Sequence, residues 1–183
     1  SQIVAPTVLD DVMFGPLNYG TGQSQAKDRA IEALDRLDAS HLADRVPHHL
    51  SGGEKRLVAI AGVLAMDPSV IVMDEPLAGL DPAREQRVRE VIESLQYETI
   101  GLVIATHDVD FAADISDRLV VMDDGDIVGS GTPASVFYDG ELLERANLRP
   151  PTAVRMARRL GVTGTHPVTE HELLDLLERS PGE

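Results

Sequence analysis

The chain has 183 residues, no cysteine, and 31 acidic against 16 basic residues, a formal net charge of −15. This length gives the core of one domain rather than of two full ones, and the lack of cysteine excludes disulfides and thiolate metal sites. So acidic a chain, with only Lys27 and Lys55 as lysines, argues against non-specific binding to nucleic acid or anionic membrane, and suits concentrated salt, where screening relieves self-repulsion.

The longest nearly unbroken apolar stretch, Leu57 to Met66, falls well short of the ~18 residues that a membrane span needs. With no signal pattern at its start, the chain reads as soluble, serving a membrane only as a peripheral subunit. Ser1-Gln2-Ile3-Val4 has neither an initiator Met nor a cap, and no G-x-x-x-x-G-K-S/T loop occurs, since neither lysine has the required glycines before it.

Thr7, with Asp10 at the third helical position, predicts a capped helix that Gly15-Pro16 ends. Ile31, Leu34 and Leu37 between charges predict an amphipathic helix over 24–37. The loop Asp38 to His49 carries His41, His48 and His49; no carboxylate or cysteine stands at ligand spacing beside them, so they read as polar surface rather than as a metal site. Ser51 and Glu54 then stand in capping-box spacing ahead of an apolar helix face of Leu57, Ile60, Ala61 and Leu64. Gly52 and Gly53 let backbone come close to a ligand at a helix N-terminus, whose free N–H groups attract phosphate, so the tip reads as an anion site.

Val70-Ile71-Val72-Met73-Asp74-Glu75 is too short for a helix and predicts a strand buried on both faces of a parallel sheet, with two acids at its carboxyl end, where open α/β sheets bind ligands. After Asp81-Pro82, Val88, Val91, Ile92 and Leu95 predict a helix to about Gln96 that crosses over to a second buried strand, Leu102 to Thr106, followed by His107. A short helix with Val109, Phe111 and Ala112 comes next. Leu119 to Met122 and Asp126 to Gly129 flank an Asp-Gly turn and predict a hairpin. Thr132-Pro133 opens a further helix, and Leu148 to Leu160 carries Arg155, Arg158 and Arg159, which read as a solvated face or as a docking strip. Thr169 and Glu172 repeat the capping-box spacing before a last helix, after which Ser180 to Glu183 is expected to fray.

Leu50-Ser51-Gly52-Gly53-Glu54, Val70 to Glu75, Ala78-Gly79-Leu80-Asp81 and His107, in this order and spacing, resemble the core of an ABC-type ATPase. The resemblance implies an α/β, P-loop NTPase-like (RecA-like) fold: three parallel core strands, a hairpin and a helical subdomain, amino-terminally truncated. It divides the chain into a partial helical subdomain over 1–49, the ATPase core over 50–137 and a carboxyl-terminal helical extension over 138–183. By the same resemblance Asp74 holds Mg²⁺, Glu75 is the general base and His107 contacts the γ-phosphate. Ser51, Gly52 and Gly53 face the nucleotide held by a second subunit, and Asp81 belongs to the strip that touches that subunit. The implied cofactors are ATP and Mg²⁺. The implied partners are a second ABC ATPase subunit, identical or not, and a transmembrane importer subunit, at the cytoplasmic face of the membrane and without nucleic acid.

Phe14-Gly15-Pro16 and Leu148-Arg149-Pro150-Pro151 are similar to segments of the ATPases of energy-coupling-factor and cobalt or nickel importers, so the expected cargo is such a metal ion or a vitamin. Because the phosphate loop and the segments around it are not found, the chain matches the carboxyl-terminal two-thirds of a subunit and is expected to be inactive as given. Gln2 matches a second glutamine just past the catalytic one and takes no role. A soluble non-transport ATPase is disfavoured because that class carries long coiled-coil insertions or tandem cassettes, an exporter cassette often has a transmembrane domain fused upstream, and an inactive regulator is disfavoured by Glu75 and His107.

Overall fold

The computed structural model describes residues 5–98 and 100–179, which form nine α-helices and four strands; Gln2 and the 180–183 tail lie outside them. The chain divides into two units, the first reaching to Ala105 and the second starting at Thr106.

In the first unit, helix α1 (Val8–Asn18) starts where Thr7 Oγ1 accepts the Asp10 N–H at 3.1 Å. It does not end at Gly15-Pro16. Proline removes one donor, but Tyr19 N–H to Gly15 O at 3.2 Å and Asn18 Nδ2 to Phe14 O at 2.8 Å close the last turn beyond it. Gly15 serves close approach instead: a Cβ there would lie 2.8 Å from Cγ and Sδ of Met66. Helix α2 (Gln23–Arg36) buries Ala26, Ala30, Ala33 and Leu34, whereas Ile31, expected inside, is 45% exposed. The alanines set the contact face; Ile31 lies just off it.

Two single turns, Ser40–Leu42 and Pro47–His49, lead to helix α3 (Gly52–Leu64), which packs on α1 and α2. The connection is pinned to α1 by Val8 N–H to Arg45 O and Leu9 N–H to Ala43 O, both 2.9 Å. His41, His48 and His49 are exposed.

Strand β1 (Val70–Asp74) pairs in parallel with β2 (Gly101–Ala105), Val70 opposite Gly101 and Asp74 opposite Ala105. Helix α4 (Pro82–Gln96) connects them and buries the predicted Val88, Val91, Ile92 and Leu95. Burial on both faces was too much to expect. Ile71 and Met73 are buried, but Val70, Val72 and Val103 are more than half exposed, so among the described residues one face of this sheet is covered and the other open. Among the described residues this sheet has two parallel strands rather than the three expected.

The second unit begins with α5 (Val109–Ile115) and the antiparallel pair β3 (Leu119–Asp123) and β4 (Asp126–Gly131). Asp124 and Gly125, at φ 46° and 87°, make the tight two-residue turn that Asp-Gly favours. A bulge interrupts the register between Val121 and Met122. Helix α6 (Pro133–Phe137) has Thr132 as cap and proline at its start, as expected, and α7 (Gly140–Arg145), which was not expected, is capped by Asp139. Val121, Val136, Phe137, Leu143 and Val154 share a core. Helix α8 (Thr152–Leu160) buries Ala153 and Ala157 against Leu173 of α9 (Glu170–Arg179), and Thr169 and Glu172 close the second capping box.

The face assigned to α2 is open to test. Leu34→Ala should cost about 2–5 kcal/mol in urea unfolding, and Ile31→Ala within about 0.5 kcal/mol of zero. Equal losses at the two positions would contradict this packing.

Candidate functional site

Ser51 is the N-cap of α3 in a complete capping box: its hydroxyl accepts the Glu54 N–H at 3.3 Å, and Glu54 Oε2 accepts the Ser51 N–H at 2.8 Å. Like any helix start, the first turn has N–H groups without intrahelical acceptors, so the tip offers donors and a positive dipole end to an anion. Ser51 and Gly52 are exposed, and nothing lies within 4 Å of a Cβ built on Gly52.

Glu54 is a junction. Its side chain is only 14% exposed, and its Oε1 also meets Arg45 Nη1 at 3.3 Å and Arg84 Nη2 at 4.0 Å. The Ser51 N–H holds the Glu54 carboxyl below its ordinary value, with the Ser51 side chain and the two arginines acting in the same direction.

Arg84 links the tip to the next piece. Asp81 caps α4, its Oδ1 accepting the Arg84 N–H at 3.1 Å, while its Oδ2 takes an ion pair from the Arg84 guanidinium. The Arg84 N–H, then its side chain, lowers the Asp81 carboxyl as well. A Cβ on Gly53 would sit 3.6 Å from both Arg84 Cδ and Leu80 Cδ2, so the tip lies alongside the 78–81 turn.

A third tie, Arg56 Nη1 to Asp74 O at 3.2 Å, joins α3 to the end of β1. There Asp74 is exposed and Glu75 follows at φ 46°. The residue before a proline normally stays extended, and the left-handed region costs an L-residue about 1 kcal/mol, so Glu75 stores backbone strain at the end of the strand. Its N–H donates to Ala105 O at 2.9 Å, which keeps it in the sheet ladder.

Of the predicted residues, Ser51, Gly52, Gly53, Asp74, Glu75 and Asp81 thus lie in the first unit, joined through Glu54, Arg56 and Arg84. His107 belongs to the second. It is exposed in a turn where Asp108 N–H donates to Thr106 Oγ1 at 3.1 Å and Asp108 Oδ1 caps α5 through Phe111 N–H at 3.0 Å.

Carboxylate oxygens are the donors a hard cation takes, so Asp74 and Glu75 fit Mg²⁺ in kind. The tip fits a phosphate oxygen. Sequence reasoning missed Arg45, Arg56 and Arg84. Only Arg84 left a signal, its i,i+3 spacing from Asp81 at a helix start.

A family profile described as ABC transporter matches residues 4–78. The energy-coupling factor transporter ATP-binding protein EcfA of Methanothermobacter thermautotrophicus is 41% identical over 183 residues, covering 96% of this chain and 59% of that protein. EcfA of Methanocaldococcus jannaschii is 44% identical over 167 residues, covering 91% and 60%. The chain therefore spans about three fifths of the length of these relatives. Among solved structures, cbiO1 from Clostridium perfringens, described as part of the ABC transporter complex cbiONQ, superposes with a TM-score of 0.65 at 37% identity, over 88% of this chain and 63% of that one.

The capping box predicts a pH effect of definite sign. The Glu54 carboxyl titrates lower in the folded chain, so its contribution is complete at neutral pH and is lost as pH falls below its ordinary value of 4.5. Glu54→Gln keeps an oxygen for the Ser51 N–H and loses only the charge, so it should cost up to about 1 kcal/mol at neutral pH, and the gap to wild type should narrow in denaturant titrations carried below pH 4.5. A gap that stays constant with pH would mean that the charge contributes nothing.

Proposed function

We propose that the chain is an ATPase of the ABC transporter family and serves as the ATP-binding subunit of an importer, coupling ATP hydrolysis to uptake of a cobalt or nickel ion or of a vitamin. The observation that carries this reading is the linked set itself: an exposed, capped helix tip, a turn ending in Asp81 and a strand end with two acidic residues, held together by three side chains of one unit. The EcfA and cbiO1 likenesses support the importer branch over a soluble ATPase.

In this reading Glu75 orients the attacking water and takes its proton. Glu75 follows Asp74 in sequence at the strand end, and Asp74 would offer oxygen to Mg²⁺, which when bound would neutralise charge on the phosphates. Ser51, Gly52 and Gly53 donate N–H groups and a hydroxyl to the phosphate held by a second ATPase subunit, and Asp81, fixed by Arg84, lines the same contact. His107 reaches the γ-phosphate. A transmembrane subunit receives the motion, which puts the protein at the cytoplasmic face of the membrane. The division into residues 1–49, 50–137 and 138–183 is kept as the functional one: membrane-facing helices, ATPase core and extension.

These 183 residues contain no phosphate loop, and so neither the lysine for the β- and γ-phosphates nor the hydroxyl for Mg²⁺ that such a loop supplies. They are therefore proposed to be inactive when expressed alone.

In the full-length subunit Glu75→Gln should cut hydrolysis by about two to four orders of magnitude, leave ATP binding and allow the ATP-bound dimer to accumulate, while Ser51→Arg should abolish dimerisation and spare the affinity of the single subunit. Steady-state turnover, nucleotide titration and sizing with ATP check both. Near-normal turnover in Glu75→Gln would remove the catalytic assignment, and loss of single-subunit ATP affinity in Ser51→Arg would remove the role across the interface.

A further inference from the structure

The first turn of α5, three residues past His107, carries a carboxylate that bonds outside its own helix. Asp110 Oδ1 accepts the Thr152 N–H at 2.6 Å and Oδ2 accepts the Thr152 hydroxyl at 3.1 Å, across 42 residues of sequence. Thr152 opens α8, whose N-cap, Pro151, makes no side-chain capping bond. Asp110 therefore supplies from another element the acceptor that a capping Asp or Ser supplies locally. Arg155 Nη2 donates to the same hydroxyl at 2.9 Å, so Thr152 accepts one charge-assisted bond while it donates another.

The other side of His107 is held too. Thr106 Oγ1 and the Asp108 cap fix the turn around it, and α5 continues into the buried Phe111. Helix α8 is no loose end, since it packs on α9 through Ala153, Ala157 and Leu173. A clasp of one carboxylate and one threonine thus joins the segment bearing His107 to the carboxyl-terminal helix pair, beside the apolar core to which Ala113 of α5 and Val154 of α8 both contribute.

We propose that Asp110 and Thr152 are positioning residues for His107, and that through them α8 and α9 set the turnover of the nucleotide site without touching nucleotide. This rests on the role given to His107 above. A misplaced group in a site of this kind loses rate far more than affinity, so the clasp should act on kcat and leave KM.

The test uses the full-length subunit. Asp110→Ala should lower kcat about tenfold with the KM for ATP changed less than about twofold. Thr152→Val keeps the shape and the backbone N–H but loses the hydroxyl, and should lower kcat by less. Thr152→Ser keeps both bonds and should restore wild-type kcat. A clasp that merely stabilises would lower the melting temperature of Asp110→Ala and leave kcat unchanged well below it, and that result overturns the inference. If Asp110→Ala fails to fold, equal kcat in Thr152→Val and Thr152→Ser overturns it. His107→Ala, run alongside, separates the two readings: full turnover in that variant removes the role of His107 itself, whereas loss of turnover there with wild-type kcat in both clasp variants removes only the positioning inference.

Discussion

The exchange of bonds between Ser51 and Glu54 is the constraint on which the first unit depends. It fixes the backbone of the tip at 2.8 Å on one side and 3.3 Å on the other, and places a carboxylate where Arg45 and Arg84 both reach it. Arg45 comes from the connection pinned to α1, and Arg84 from the first turn of α4 that also holds Asp81. Helix α3 itself extends Arg56 to the end of β1. One capped helix start thereby joins the helical segment, the turn before α4 and the strand carrying the two acids. The Ser51 N–H draws the Glu54 carboxyl below its ordinary value, and the Arg84 N–H does the same for Asp81.

What the sequence made legible was mostly local. A cap is decided within four residues, so Thr7, Ser51, Thr132 and Thr169 were readable, as were the 3.6-residue period of α4 and the Asp-Gly hairpin turn. What failed depended on neighbours. Val70 and Val72 have the composition of a strand covered on both sides, yet alternate burial follows from which face a helix covers, and composition does not record that. Ile31 is more apolar than Ala30, but the small residue permits the closer approach and takes the contact face. Pro16 reads as a stop, and the bonds that carry α1 past it come from its own last turn. Of the candidate site, the strand-end acids and the tip were legible because motif spacing carries them. The arginines that join them act between elements, and the left-handed backbone of Glu75 contradicts its own local preference. Strain of that sort is held by surrounding structure, and its occurrence at the proposed general base fits a residue placed for chemistry rather than for stability.

In the proposed reading this chain would contribute a helix tip that donates to phosphate and two carboxylates that serve hydrolysis, and carboxylates beside an uncompensated phosphate repel it. Grip on the phosphates needs a lysine and backbone cradle that these 183 residues do not contain. Calorimetric titration of this chain with Mg-ATP tests that claim most directly. The account predicts no binding in the micromolar range; micromolar affinity in a monodisperse sample would mean that a phosphate cradle exists within these residues, and would contradict it.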